Sequence, residues 1–217
     1  MKVAMFDMDG TLLDSMQAWR HCNVEYLEQR GCKIGASQLP HIIQASSGVH
    51  LFDYVLKTFG IEIDRPVFRE LQKKRMYETY AKGAPVKPGV VPYLTYLRAK
   101  GVKTVLTTAT WATHTTLALA RSGLTPLFDG IFCCDMIGHS KSTPEYFEAV
   151  ARFCDASLSD CVLFDDAVYA IKSGRAANLL GIVGLTDATN TLFREEMGQY
   201  ADVVVDSLAS LIPSPGN

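Results

Sequence analysis

Six short apolar runs, with a long interruption after the first, constrain this chain more than any other feature. The runs lie at 2–6, 103–106, 130–134, 161–164, 181–184 and 202–205. Brief, β-rich runs of this kind read as strands buried on both faces. Helical stretches separate most of them. The stretch 90–100 follows a Pro-Gly turn and ends at Gly101, and 113–122 closes at Gly123. The stretch 143–153 opens on Thr143 and Pro144, and 170–178 precedes Gly181. Proline in a first turn and glycine just past a last turn are start and stop signals. Strand–helix–strand repetition implies parallel strands, right-handed crossovers and helices on both faces. The expected fold class is therefore α/β, with a Rossmann-like parallel sheet core in three layers.

Between the first and second runs lie about a hundred residues, far more than a simple crossover needs. Helical patterning fills this stretch at 16–30, 38–45, 51–58 and 66–80, with breaks at Gly31, 46–48 and 60–64. Pro85, Pro88 and Gly89 mark the return to the core. The expected organisation is an α/β core of 1–14 and 83–217 with an inserted helical-bundle cap of 15–82. Both pieces have ordinary domain sizes.

Composition narrows the function classes. With 48% hydrophobic and 20% charged residues, the chain is not disordered, coiled-coil or collagen-like. Lys plus Arg number 21 against 23 Asp plus Glu, so the basic excess expected of a nucleic-acid binder is absent. Asp7 and Asp9 break the apolar stretch that a secretory signal would need. No run approaches the ~18 residues that span a membrane. The six cysteines contain no C-x-x-C spacing, which argues against a zinc or redox motif. Cys133 and Cys134 would point to opposite faces if both lay on a strand. These features lead us to expect a cytoplasmic protein, a monomer or weak dimer, with reduced cysteines serving as small buried hydrophobes.

The chemistry should sit where the strands end, because open α/β sheets bind ligands beyond their carboxyl edges. After the first run come Asp7-Met8-Asp9-Gly10-Thr11, and after the second Thr107 and Thr108. Lys141 follows the third region, and Asp165 and Asp166 follow the fourth. Four acids at one rim repel one another until a proton or a cation relieves them. All are hard oxygen donors with no His or Cys among them, which favours Mg²⁺ over zinc or copper. Mg²⁺ commonly shares a substrate phosphate, for which the lysine and the hydroxyls are natural partners. A carboxylate in such a place can also act as a nucleophile.

Asp7–Thr11, Thr107, Lys141 and Asp165–Asp166 together resemble the four ordered motifs of the haloacid dehalogenase-like (HAD) phosphatase superfamily. The resemblance covers nearly the whole chain and includes a helical insert like that family's small cap. Val86-Lys87-Pro88-Gly89-Val90, the segment from Lys141 to Phe147, and Ala201-Asp202-Val203-Val204 extend it. The phosphoglycolate-phosphatase-like and β-phosphoglucomutase-like enzymes are the most similar subgroup.

The resemblance implies a small phosphorylated metabolite as substrate and an aspartyl-phosphate intermediate. Asp7 is then the nucleophile and a metal ligand. Asp9 is the general acid–base and offers its carbonyl to the metal. Gly10, Thr107, Thr108 and Lys141 hold the phosphoryl group, with Lys141 also neutralising the nucleophile. Asp166 binds the metal, and Asp165 does so directly or from behind. Ala167 and Thr108 stand where the family often has Ser and Asn, and Ser142 where Pro is common. These departures touch fine contacts rather than the charged set.

Other readings are weaker. A dehalogenase would have an aromatic residue in place of Asp9. A β-phosphoglucomutase-like mutase would carry a His at about the place of Trp19, and an Arg between Arg30 and Arg65, where the chain has none. A phosphonate hydrolase would need a cap lysine; Lys33 and Lys57 lack a recognisable context. A non-catalytic binding protein on this fold would be expected to have lost Asp7 or Asp9. Asp14 reads as a structural residue starting the first cap helix, and His114 as exposed helix surface. Trp111 could wall the pocket, His50 lies near the cap loop, and Ser46, Ser47 and Gly48 are the candidate specificity loop.

Overall fold

The structure, a computed structural model, describes residues 1–44 and 49–213. Its strands are β1 (Val3–Phe6), β2 (Lys103–Thr108), β3 (Gly130–Cys133), β4 (Cys161–Asp165), β5 (Gly181–Leu185) and β6 (Val203–Val205). All pair in parallel, in the order β3-β2-β1-β4-β5-β6. The strand order reverses at β1, which is fully buried between β2 and β4. Phe6 aligns with Leu106 on one side and Phe164 on the other. The next residue of each strand, Asp7, Thr107 and Asp165, therefore reaches the rim at one level.

Alternation along β1 feeds both faces. Ala4 and Phe6 join Tyr93, Leu94, Leu106 and Phe164 on one side. Val3 and Met5 join Phe147, Val150, Leu163 and Ile182 on the other. This is why the runs read as continuously apolar rather than alternating.

The insertion supplies helices α1 (Met16–Glu28), α2 (Leu39–Gln44), α3 (Val49–Phe59) and α4 (Arg65–Lys82). The remainder supplies α5 (Val90–Ala99), α6 (Ala112–Ser122), α7 (Cys134–Ile137), α8 (Pro144–Phe153), α9 (Val168–Ala176) and α10 (Arg194–Gly198). Helix α4 starts as its sequence dictates. Asp64 accepts a hydrogen bond from the Val67 N–H, and Pro66 sits in the first turn. The inserted helices hold their own apolar cluster around Tyr26, Ile42, Leu51, Phe52, Val55 and Phe68. Met16, Trp19, Met76 and Tyr80 from α1 and α4 join the cluster over the sheet instead. The outgoing and returning segments run side by side. The Asp14 N–H donates to the Pro85 carbonyl, and the Lys87 N–H to that of Leu12.

Several expectations change in detail. Lys2 lies outside β1, while β2, β4 and β5 each run one or two residues further than their apolar runs. Cys134 opens α7 instead of ending β3, so the opposite-face picture for Cys133 and Cys134 does not apply. Asp14 does not cap α1; Ser15 occupies that position. Helix α9 starts earlier than expected and ends before Asn178, whose left-handed φ of 56° cannot continue a helix. His114 is buried, not exposed, because α4 lies across α6 and the Lys73 carbonyl meets its Nε2 at 2.9 Å. All six cysteines are free and all but Cys134 are buried. Among the described residues no helix is long and apolar enough to cross a membrane. Ser46, Ser47 and Gly48 lie outside the described residues, as does the His50 side chain.

Candidate active site

Asp7 leaves β1 with its N–H still donating to the Phe164 carbonyl at 2.9 Å, which fixes its backbone to the sheet. Lys141 arrives from the loop between α7 and α8 and is 1% exposed. Its Nζ donates to Asp7 Oδ1 at 2.6 Å and to the Thr107 carbonyl at 2.9 Å. It also sits 2.6 Å from Asp165 Oδ2, a close ion pair without the angle of a hydrogen bond. Asp7, Asp165 and Asp166 are all buried, and each offers a carboxylate oxygen within 4.8 Å of the others.

One ammonium therefore faces three carboxyls, and their titration reflects it. Burial raises Asp7 most, Lys141 pulls it back, and Asp165 and Asp9 push it up again, which together leave it at about 7. Burial, then the Asp7 and Asp165 charges, hold Asp166 well above the usual carboxylate range. Burial alone would lower Lys141, but Asp165 and Asp7 outweigh it and keep the ammonium charged. A buried, all-oxygen set with negative charge in excess fits a hard divalent cation.

The turn after β1 needs its glycine. Gly10 has φ +82°, and a Cβ built there would stand 2.2 Å from Asp166 Oδ2. Its carbonyl accepts from Lys87 Nζ at 2.6 Å, and the same ammonium pairs with Asp187 at 2.7 Å. The Thr107 hydroxyl is buried with no partner among the described residues. The Thr108 hydroxyl accepts from the Thr110 N–H. Asp9 lies towards the insertion: Oδ1 accepts from Ser15 Oγ at 2.5 Å and Tyr80 Oη at 2.7 Å, and Oδ2 from Thr110 Oγ1 at 2.7 Å.

A cavity of 440 Å³ opens between the sheet rim and the inserted helices. Asp7, Asp9, Thr108 and Asp166 form its floor, while Trp19, Phe52, Arg69 and Gln72 face it from the insertion. Trp111 walls one side, its ring 6.1 Å from that of Trp19. The structure thus brings together every residue singled out from the sequence as carrying chemistry. Thr107, Lys141 and Asp165 lie beneath the floor, and Gly10 lies against Asp166. Lys33 and Lys57 are exposed and are not among the residues lining the cavity. Sequence reasoning missed Ser15, Tyr80, Thr110, Arg69 and Gln72. Thr110 was within reach, since it lies two residues beyond Thr108 on the same rim. Arg69, Gln72 and Tyr80 lie on α4 and Ser15 just before α1, and no local pattern reports how these helices are oriented.

Known proteins give the same picture. The haloacid dehalogenase-like hydrolase family model matches residues 1–178. The phosphoglycolate phosphatase of Rhodobacter capsulatus is 30% identical over 151 residues, covering 68% of each chain. A beta-phosphoglucomutase of Mycobacterium tuberculosis is 25% identical over 244 aligned positions, covering 97% of this chain and 91% of its own. The crystal structure of a hydrolase from Pseudomonas syringae shares the fold with a TM-score of 0.81 at 22% identity, over 97% and 96% of the two chains. The chain therefore belongs to the haloacid dehalogenase-like hydrolase family, as one of its phosphatase enzymes.

Proposed function

We propose that the protein is a Mg²⁺-dependent phosphatase that hydrolyses a small-molecule phosphate monoester through an aspartyl phosphate on Asp7. The observation that carries this reading is the Asp7 carboxylate on the cavity floor, paired with Lys141 at 2.6 Å and crowded by two further acids. Asp7, Asp166, the Asp9 carbonyl and, directly or from behind, Asp165 would hold Mg²⁺, which when bound supplies positive charge at the phosphoryl oxygens. Asp7 attacks phosphorus. Lys141 keeps the nucleophile oriented and offsets the charge of the transferring group. The Thr107 hydroxyl, which has no partner among the described residues, Thr108 and the Gly10 backbone accommodate phosphoryl oxygens. Asp9 gives a proton to the leaving oxygen and takes one from the water that cleaves the aspartyl phosphate. Helices 15–82 act as a cap on the core of 1–14 and 83–217, closing the cavity over the leaving group and excluding bulk water. Trp19 stands at about the place where the mutase reading needs a histidine, its ring tilted 32° against that of Trp111, which favours hydrolysis over transfer to a second sugar hydroxyl.

Free phosphate release from a panel of phosphorylated metabolites, with and without chelator, tests the reading. Turnover should stop on chelation and return with Mg²⁺. Activity that survives thorough chelation would remove the metal from the scheme.

A second readout follows from linkage. The Asp7 carboxyl, raised from an ordinary 3.8 to about 7, favours the metal-free fold most below about pH 4, and that contribution is lost as pH rises through about 7. A bound cation offsets the loss, so the rise in melting temperature on adding Mg²⁺ should be larger at pH 8 than at pH 5. An equal rise at both values would separate the cation from this cluster.

Gly10→Ala is expected to lower turnover by about a hundredfold and stability by about 1–3 kcal/mol. The new Cβ meets the Asp166 carboxylate at a backbone angle that disfavours it. Phosphate release and thermal melting check the two figures.

A further inference from the structure

The carboxylate of Asp9 is held asymmetrically. Oδ1 receives two donors, Ser15 Oγ and Tyr80 Oη, at 2.5 and 2.7 Å. Both come from the insertion: Ser15 precedes α1, and Tyr80 sits near the end of α4. Among the described residues Oδ2 receives one donor, Thr110 Oγ1 at 2.7 Å, from the loop that follows β2. Tyr80 is fully buried, and its hydroxyl lies 2.7 Å from Asp9 Oδ1.

These contacts distinguish the two oxygens chemically. In a neutral carboxyl group the carbonyl oxygen keeps both lone pairs for acceptance, while the other oxygen carries the hydrogen. Two donors on Oδ1 suit the carbonyl role. The single partner of Oδ2 is a hydroxyl, which can donate to an ionised oxygen or turn its hydrogen away from a protonated one.

We propose that Tyr80, with Ser15, is a positioning residue that anchors Asp9 Oδ1 and so commits Oδ2, attended by Thr110, to carry the proton exchanged with the substrate. This rests on the acid–base reading of Asp9 given above. In the first step a bond forms between Asp7 and phosphorus as the bond from phosphorus to the leaving oxygen breaks. The electron pair stays on that oxygen, which takes the proton from Oδ2. In the second step water attacks the aspartyl phosphate, Asp7 leaves as a carboxylate, and the water's proton returns to Oδ2. Oδ1 keeps both donors throughout, so the carboxyl does not have to be re-oriented between the two steps.

Leaving-group dependence separates a positioning role from a structural one. Nitrophenyl phosphate expels a stable anion that needs little protonation, whereas an alkyl phosphate needs a full proton. For Tyr80→Phe, kcat/KM on the alkyl ester should fall by about 10–100-fold, a part of what general acid catalysis supplies. On the nitrophenyl ester it should fall by less than about threefold. Thr110→Val should show the same selective loss, and Thr110→Ser should restore it. Asp9→Asn, measured in parallel, should show a larger selective loss.

An equal loss on both esters, or none, in Tyr80→Phe and Thr110→Val overturns the proposal. If Asp9→Asn is selective and the other variants are not, positioning fails while the acid role stands. If Asp9→Asn is itself unselective, the acid role fails and the positioning claim falls with it.

Discussion

Asp7→Asn should lose more than about a thousandfold in turnover of every phosphate ester the enzyme accepts, including the activated nitrophenyl ester. The amide keeps the shape of the carboxylate but cannot attack phosphorus. Its effect on stability should run the other way. Asp7 is a buried acid crowded by Asp165 and Asp166, and its raised titration records the cost of ionising it. A neutral amide avoids that cost, and Lys141 still has Asp165 as a partner. The metal-free variant at pH 8 should therefore melt no lower than the parent. Near-normal activity would sink the nucleophile assignment. A large drop in melting temperature would mean that Asp7 is needed as an ion to hold the rim together.

The opposite substitution should be costly in both respects. Lys141→Met removes the ammonium that faces Asp7 and Asp165 in a fully buried position. Breaking one side of a buried ion pair costs about 3–5 kcal/mol. In a chain of this size each kcal/mol lowers the melting temperature by roughly 2–4 °C, so a fall of about 6–20 °C is expected at pH 8 in the absence of metal. The deficit should shrink at pH 5, because the stranded acids can then take up protons. Turnover should fall as well, since the transferring group loses its fixed positive charge. A melting temperature within a degree of the parent at pH 8 would show that the lysine is not needed to neutralise the cluster.

The sheet was legible because its strands are short, apolar and separated by helix start and stop signals. The acids, Thr107 and Lys141 were legible for a related reason: the sheet delivers whatever follows each strand to one rim. Asp7, Thr107 and Asp165 follow residues that stand in register. Contacts made by the insertion were less accessible. Tyr80 meets Asp9 across 71 positions of sequence. That meeting depends on how α4 lies over the rim, which its own periodicity does not state. His114 shows the same limit. A histidine in the first turn of a helix reads as surface until α4 covers it, and the Lys73 carbonyl then gives its ring nitrogen a partner. The short helices α7 and α10 carry too few turns to register as periodic patterns.

The position of β1 at the centre of the sheet also sets a timetable for a growing chain. Its residues precede those of β2 by the whole insertion and α5 besides, about a hundred residues, and those of β4 by still more. At about 5–20 residues per second of synthesis, β1 waits roughly 5–20 s for its first neighbour and roughly 8–30 s for its second. Over that time it is an apolar strand with both edges open, the kind of segment that pairs with other chains. The helices made in the interval have an apolar cluster of their own to close around. Asp7, the proposed nucleophile, thus follows the strand left open longest, and its electrostatic setting is complete only once Asp165 and Asp166 have been made.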